Sequence, residues 1–221
     1  MPKIKVSDFI FKFLHKNSAN HIFLVPGGGN MHLTDSVKRN KNLKYTSFFH
    51  EQSATIAAES YSRSNNNLGV ALVTSGPGAT NAITGAVGAW IESVPMVIIS
   101  GQVKTSDLIN KSKIRQNGPQ EVEIVKLING VTKFSITVKS PNSIVNILKK
   151  ALSAAISGRS GPVWIDVPLD IQAAKINFSK KDIVKIKKQK NNQFSDYKKI
   201  IKLINNSKRP IILAGHGIRL S

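Results

Sequence analysis

Two hydrophobic periods alternate along most of this chain, and that alternation limits the folds open to it. Short apolar runs stand at 21–25, 43–48, 69–74, 95–100, 132–138 and 162–167. Between them lie segments whose apolar residues recur at helical spacing, at 31–39, 51–64, 79–92, 121–129 and 142–157. The first such segment precedes them all, with Val6, Phe9, Ile10, Phe13 and Leu14 in helical register and Ser7 available as its N-cap. Strands that are apolar throughout are buried on both faces, and strands separated by helices must cross over to pair in parallel. The expected fold class is therefore α/β: a doubly wound, mostly parallel six-stranded sheet with helices on both faces, followed by the start of a second α/β domain.

Composition removes several chemistries. The chain has no cysteine, which excludes disulfides, thiolate zinc sites, iron–sulfur clusters and a cysteine nucleophile. No run of 18 apolar residues occurs, so no membrane-spanning helix is expected. The N-terminal segment keeps Asp8 and Lys12 among its apolar residues and reads as a helix instead of a signal peptide, so a cytoplasmic protein with no membrane partner is expected. The formal net charge of +20 raises nucleic acid as a partner. The densest basic stretch, 175–202, is poor in aromatics on which bases could stack, and elsewhere the lysines are scattered; nucleic acid is not the expected partner.

The first unit closes near 168–177. Residues 180–192 are rich in lysine and asparagine and read as a linker, and a second unit opens near Phe194 with a helix at 196–205 and a strand at 211–214. One helix and one strand cannot cover each other's apolar faces, so this is the opening of a domain, with Ile211, Leu213 and Leu220 expected on its surface.

In an open parallel sheet, ligands gather at the carboxyl ends of the strands. Four unusual loops fall there: Pro26-Gly27-Gly28-Gly29-Asn30, His50-Glu51-Gln52, the run from Ser75 to Asn81, and Gly101-Gln102. The glycines match neither nucleotide-binding pattern. After Gly76 and Gly78, Asn81 stands where a dinucleotide loop needs its third glycine, and no Gly-Lys-Ser/Thr occurs. They serve either as tight turns alone or as a surface for a flat ring against backbone. Glu51 would ordinarily be a solvated first-turn residue. Its flanks, Phe48 and Phe49 before and Ala54 to Ala58 after, are apolar and free of lysine and arginine, so its carboxyl group is expected to share a proton with a ligand. His50-Glu51 lacks the second histidine of a zinc protease helix, and Ser75 lacks a nucleophile elbow. Gln102 reads equally as a surface amide or a ligand contact. The histidines show no metal-ligand spacing, and Trp90 and Trp164 read as core residues.

In this order, Pro26-Gly27-Gly28, His50-Glu51-Gln52, the run from Thr74 to Asn81, Pro95, Gly101-Gln102-Val103 and the run from Ser157 to Val163 resemble thiamine-diphosphate enzymes of the acetolactate synthase type. The resemblance covers about 4–173. It implies a pyrimidine-binding domain at 1–173, a basic linker at 174–193, and at 194–221 the incomplete start of a central α/β domain. It implies a transferase or lyase that decarboxylates pyruvate and passes the two-carbon unit to a carbonyl acceptor. Glu51 matches the catalytic glutamate that hydrogen-bonds N1′ of the aminopyrimidine ring. Proton exchange there makes the 4′-nitrogen the base for the thiazolium C2 proton, and the cofactor then acts as electron sink. Pro26, Gly27, Gly28, Thr74, Pro77, Gly78 and Asn81 would bind the cofactor beside Glu51, with Gln102 and Gln120 toward substrate.

The departures from that pattern are informative. Pro119-Gln120-Glu121 stands where Phe-Gln-Glu is usual, and Leu169 in Pro168-Leu169-Asp170 replaces a lysine. The run from Arg115 to Glu121 is closer to acetolactate synthase-like proteins of surface-polysaccharide sugar synthesis, which implies a keto-sugar nucleotide as an alternative acceptor. The family holds the diphosphate and Mg2+ through a Gly-Asp-Gly…Asn motif in a third domain, absent from these 221 residues. Its sites form between two subunits, so this segment supplies half a site at most and is expected to be inactive alone. It would act within a homodimer or homotetramer, or as a stand-alone subunit beside a separate diphosphate-binding chain.

Overall fold

A computed structural model describes residues 2–65, 67–109, 114–187 and 197–219. In chain order the elements are β1 (Lys3–Lys5), α1 (Val6–Lys16), β2 (His21–Leu24), α2 (Met31–Arg39), β3 (Lys44–Ser47), α3 (Glu51–Asn65), β4 (Gly69–Val73), α4 (Pro77–Asn81) and α5 (Ile83–Ile91). There follow β5 (Met96–Gln102), α6 (Ile124–Ile128), β6 (Phe134–Thr137), α7 (Ile144–Ile156), β7 (Pro162–Pro168), α8 (Leu169–Ala173), β8 (Lys175–Asn177) and α9 (Tyr197–Asn206).

The six expected strands form one all-parallel sheet in the order β3-β2-β4-β5-β7-β6. Side chains alternate between its faces, as the pleat requires. Ile22, Leu24, Val70, Leu72, Val97, Ile99, Val163 and Ile165 point into a core shared with α1, α2 and α7. Phe23, Ala71, Val73, Met96, Ile98 and Trp164 point into a second core under α3, α5 and α6. The helices of that second face are rich in alanine and lie close together. A Cβ on Gly85 of α5 would come within 2.5 Å of Thr55 Cβ on α3, so this crossing needs glycine.

Several boundaries differ from expectation for local reasons. Lys5, in extended conformation, stands at the N-cap of α1. Ser7 lies inside the first turn, buried, and accepts a hydrogen bond from Ser36 Oγ of α2 at 2.8 Å. The helix expected at 79–92 is two helices that meet at Ala82. The helix expected from 121 starts at Ile124, because the Glu121 carboxylate turns back and accepts from the backbone amides of Ile109, Asn117 and Gly118.

Part of the stretch read as linker covers the first domain. β8 pairs antiparallel with β1, placing Ile176 opposite Ile4, and Asn17 bonds Val184 O and Ile186 N at 3.0 and 2.7 Å. Phe178 meets the Phe9 ring edge-on at 6.1 Å. The apolar residues there are interleaved with exposed lysines, and this mixture hides the packing face.

Every residue of 197–219 whose burial is described is exposed. α9 forms where a helix was expected, although Asp196 lies outside the described residues, as do 188–195, where the end of the linker and the start of the second unit were expected. Its Ile200, Ile201, Leu203 and Ile204 are exposed. The strand expected at 211–214 is absent: with no ladder partner among the described residues, Ile211, Ile212 and Leu213 stand exposed. Leu220 lies outside the described residues. Among the described residues no helix is long and apolar enough to cross a membrane.

Candidate active site

The loops after β2, β3, β4 and β5 converge at one end of the sheet. After β2 the chain turns through Pro26 and three glycines, and buried Asn30 fixes the turn. Asn30 Oδ1 accepts from Gly27 N at 2.8 Å and from Thr34 Oγ1 at 3.2 Å, while Nδ2 donates to Val25 O at 3.0 Å. Gly29 N donates to Thr74 Oγ1 at 3.1 Å, which ties this loop to the end of β4. Gly101 permits the approach of β5, since a Cβ there would lie 2.0 Å from Gly29 O. Gln172 of α8 closes the back of the loop by donating to Gly29 O at 2.7 Å and to Val167 O at 2.8 Å.

Glu51 is the first residue of α3, and its side chain is buried at the positive end of the helix. Asn81 Nδ2, at the end of α4, donates to Glu51 Oε2 at 3.0 Å. Gly78 leaves room for the carboxylate: a Cβ there would be 2.8 Å from Glu51 Oε1 and 2.5 Å from Thr74 Cγ2. Gly27 lies against the other side of Thr74, where a Cβ would come within 2.6 Å. Glu51, Thr74, Gly78, Asn81 and Gly27 thus form one contiguous cradle. Pro26, Gly28 and Pro77 are exposed at its rim, and Gly28 has open space where a side chain would project. Among the described residues no lysine or arginine forms an ion pair with Glu51. Its apolar flanks only partly enclose it. Phe48 packs into the core, but Phe49 is fully exposed.

Gln120 reaches the site through its backbone. It has a φ of 58°, and its carbonyl abuts Gly76, where a Cβ would be 2.2 Å away; Gly76 itself has a φ of 59°. Gln102, expected toward substrate, turns inward instead. It is buried, and Nε2 donates to Val122 O at 3.0 Å and to Asp166 Oδ2 at 3.1 Å, while Oε1 accepts from Val103 N. Both amide hydrogens are used within the protein, so Gln102 braces the loop.

Asp166 was missed by sequence reasoning. Buried in β7, it also accepts from Ser100 Oγ at 2.6 Å and Thr137 Oγ1 at 3.0 Å, and Ser100 in turn accepts from Trp164 Nε1 at 2.8 Å. Burial pushes its carboxyl group up to about 6 against the opposing pull of these hydrogen bonds. The available signal was a lone acid in the middle of an otherwise apolar strand, Pro162–Pro168.

The strand ends of a doubly wound sheet thus carry a glycine-lined cradle around a buried glutamate. The chain matches the family "Thiamine pyrophosphate enzyme, N-terminal TPP binding domain" over residues 4–127, and it belongs to that family. It resembles acetolactate synthase large subunits. One, from Buchnera aphidicola of Schizaphis graminum, is 38% identical over 96% of this chain and 37% of its own length. Acetolactate synthase of Arabidopsis thaliana chloroplasts is 33% identical over 96% of this chain and 32% of its own length. The large subunit of Lactococcus lactis is 32% identical over 100% of this chain and 39% of its own length. The chain thus spans about a third of the length of these relatives.

Proposed function

We propose that this chain is the N-terminal part of a thiamine-diphosphate-dependent enzyme that decarboxylates pyruvate and transfers the two-carbon unit to a carbonyl acceptor. The observation that carries the reading is the Glu51 carboxylate, buried at a helix start, steadied by Asn81 and bordered by Gly78. The residues present fit the aminopyrimidine half of the cofactor. A side chain on Gly78 would fill the space beside the carboxylate, and Gly27 and Gly28 leave bare backbone for a flat ring. Thiamine diphosphate, when bound, supplies the electron sink that decarboxylation of a 2-oxo acid requires.

Glu51 holds and returns a proton at N1′ of the ring. Asn81 fixes the carboxylate's orientation, so that one oxygen remains for that exchange. Thr74 braces the glycine turn through Gly29 N. Pro26, Gly27, Gly28, Pro77 and Gly78 shape the ring's walls. Gln120 borders the substrate entrance beside Gly76, and Gln102 acts behind it as a positioning residue. Mg2+ and the diphosphate belong to a further domain, on a second copy of the chain in a homodimer or homotetramer or on a separate subunit. The carbonyl acceptor is a second 2-oxo acid or, in the alternative that the run from Arg115 to Glu121 raises, a keto-sugar nucleotide.

The test compares the full-length enzyme with Glu51→Gln for thiamine-diphosphate-dependent carbon dioxide release from pyruvate. Loss of a positioned acid lowers turnover by about 10²-fold or more, with the fold retained. Turnover within about twofold of wild type would remove Glu51 from the chemistry.

A further inference from the structure

A second cavity lies at the opposite edge of the sheet, where the strands begin. It encloses about 390 Å³ and is lined by Trp90, Ile91, Lys133, Arg159 and Ser160. Three segments bring these residues together: the end of α5 carries Trp90 and Ile91, the turn before β6 carries Lys133, and the turn before β7 carries Arg159 and Ser160. β5 runs seven residues from this end to the glycine loops, so about 20 Å separates the two ends of the sheet.

Gly161 lies beside two of these residues. A Cβ there would lie 3.1 Å from Lys133 Cδ and 3.8 Å from the Trp90 ring, so bare backbone lets the lysine stem and the indole close over the same spot. Trp90 was read from sequence as a core residue, yet it is 40% exposed, whereas Trp164 is fully buried. Ile91 beside it is also exposed. The cavity therefore presents an aromatic face with an apolar edge.

Two cations flank that face without an acidic partner among the described residues. Lys133 Nζ donates to the Ser157 carbonyl. Arg159 Nε donates to Ser93 Oγ at 2.6 Å, and Nη2 reaches the Ile91 carbonyl at 3.5 Å. The nearby acid, Glu92, pairs with Arg63 at 3.8 Å. Neutral groups thus hold both cations in place, and most of the guanidinium donors remain for another acceptor. Burial also holds the Lys133 ammonium below its usual range, a cost that an anion in the cavity would relieve.

We infer that this cavity binds a small planar anion: a flat ring stacked on Trp90, with its carboxylate or phosphate held by Lys133 and Arg159. Stacking and a charge-assisted bond are each sequence-independent sources of affinity, and together they select ligands that have both a ring and a charge. Such a ligand would act at a distance from the cradle around Glu51.

Titration calorimetry of the full chain with AMP, anthranilate, adenosine and inorganic phosphate tests this. One-site binding of AMP or anthranilate is expected, with adenosine and phosphate alone weaker by about tenfold or more. Binding of AMP alone would assign the phosphate source, and binding of anthranilate alone the carboxylate source. Trp90→Ala and Lys133→Met should each weaken binding by about tenfold with unchanged circular dichroism melts. If either variant melts early, Arg159→Gln, which leaves the Lys133 stem on Gly161, carries the same expectation. Saturating thiamine diphosphate should not displace the ligand. The inference is overturned if neither ring-bearing anion binds below about 10 mM, or if Lys133→Met and Arg159→Gln bind as tightly as wild type.

Discussion

Asp166→Asn offers a direct reading of the polar network behind the site. Asp166 is buried with three hydrogen-bond donors around it and forms no ion pair among the described residues. Burial raises its folded-state value to about 6. Against an unfolded value of about 3.9, the shift is about two units, or roughly 3 kcal/mol of linkage. Between about pH 4 and 6 the native state binds more protons at this site than the unfolded state does, so stability falls as pH rises through that window. The contribution is fully present below about pH 4 and lost above about pH 6. Asparagine has the same shape and does not titrate. Urea unfolding of both proteins from pH 4 to 7.5 should show the stability of wild type relative to Asp166→Asn declining by about 3 kcal/mol across the range. A difference that stays flat would mean that the network solvates the carboxylate well enough to cancel its burial. A difference that rises with pH would mean that Asp166 is held charged by a cation in the working protein.

Three further outcomes follow from the site. Gly78→Ala places a Cβ 2.8 Å from Glu51 Oε1, and the displaced carboxylate should lower turnover of the full-length enzyme by about 10²-fold while thermal melts show the fold intact. Asn30→Ala leaves Gly27 N and Val25 O without their side-chain partners, so the urea midpoint should fall by the equivalent of about 3 kcal/mol. Glu121→Gln keeps one acceptor oxygen and puts a donor in place of the other, so the amides of Ile109 on one oxygen and of Asn117 and Gly118 on the other cannot all be satisfied; amide exchange in this loop should accelerate while the strands stay protected.

Much of the site was legible because its residue types are costly elsewhere. Glycines in series after a buried strand, and a glutamate among apolar residues without basic neighbours, stand out in one dimension, and Glu51, Thr74, Gly78 and Asn81 do meet in space. Gln102 was legible as a residue at a strand end but not in its direction, since a side chain chooses its partner only once β7 has delivered Asp166 beside it. Asp166 itself was overlooked because a single acid in a strand looks like an exposed position until the strand is known to be central. Lysines hid the role of 175–187 for a related reason, since the residues that pack there are the minority.

Local periodicity alone specified the six strands, most of the helices and the doubly wound layering, because burial on both faces of a parallel sheet writes a continuous apolar run into each strand. It also marked the end of the sheet where the cradle forms. Only the tertiary structure decided which loops touch, that Gln102 faces inward, that β8 returns to pair with β1, and that Trp90 stands open beside Lys133 and Arg159. Those outcomes depend on contacts between residues far apart in the chain. Such contacts carry no period, and they are settled by what the neighbouring strands place opposite each side chain.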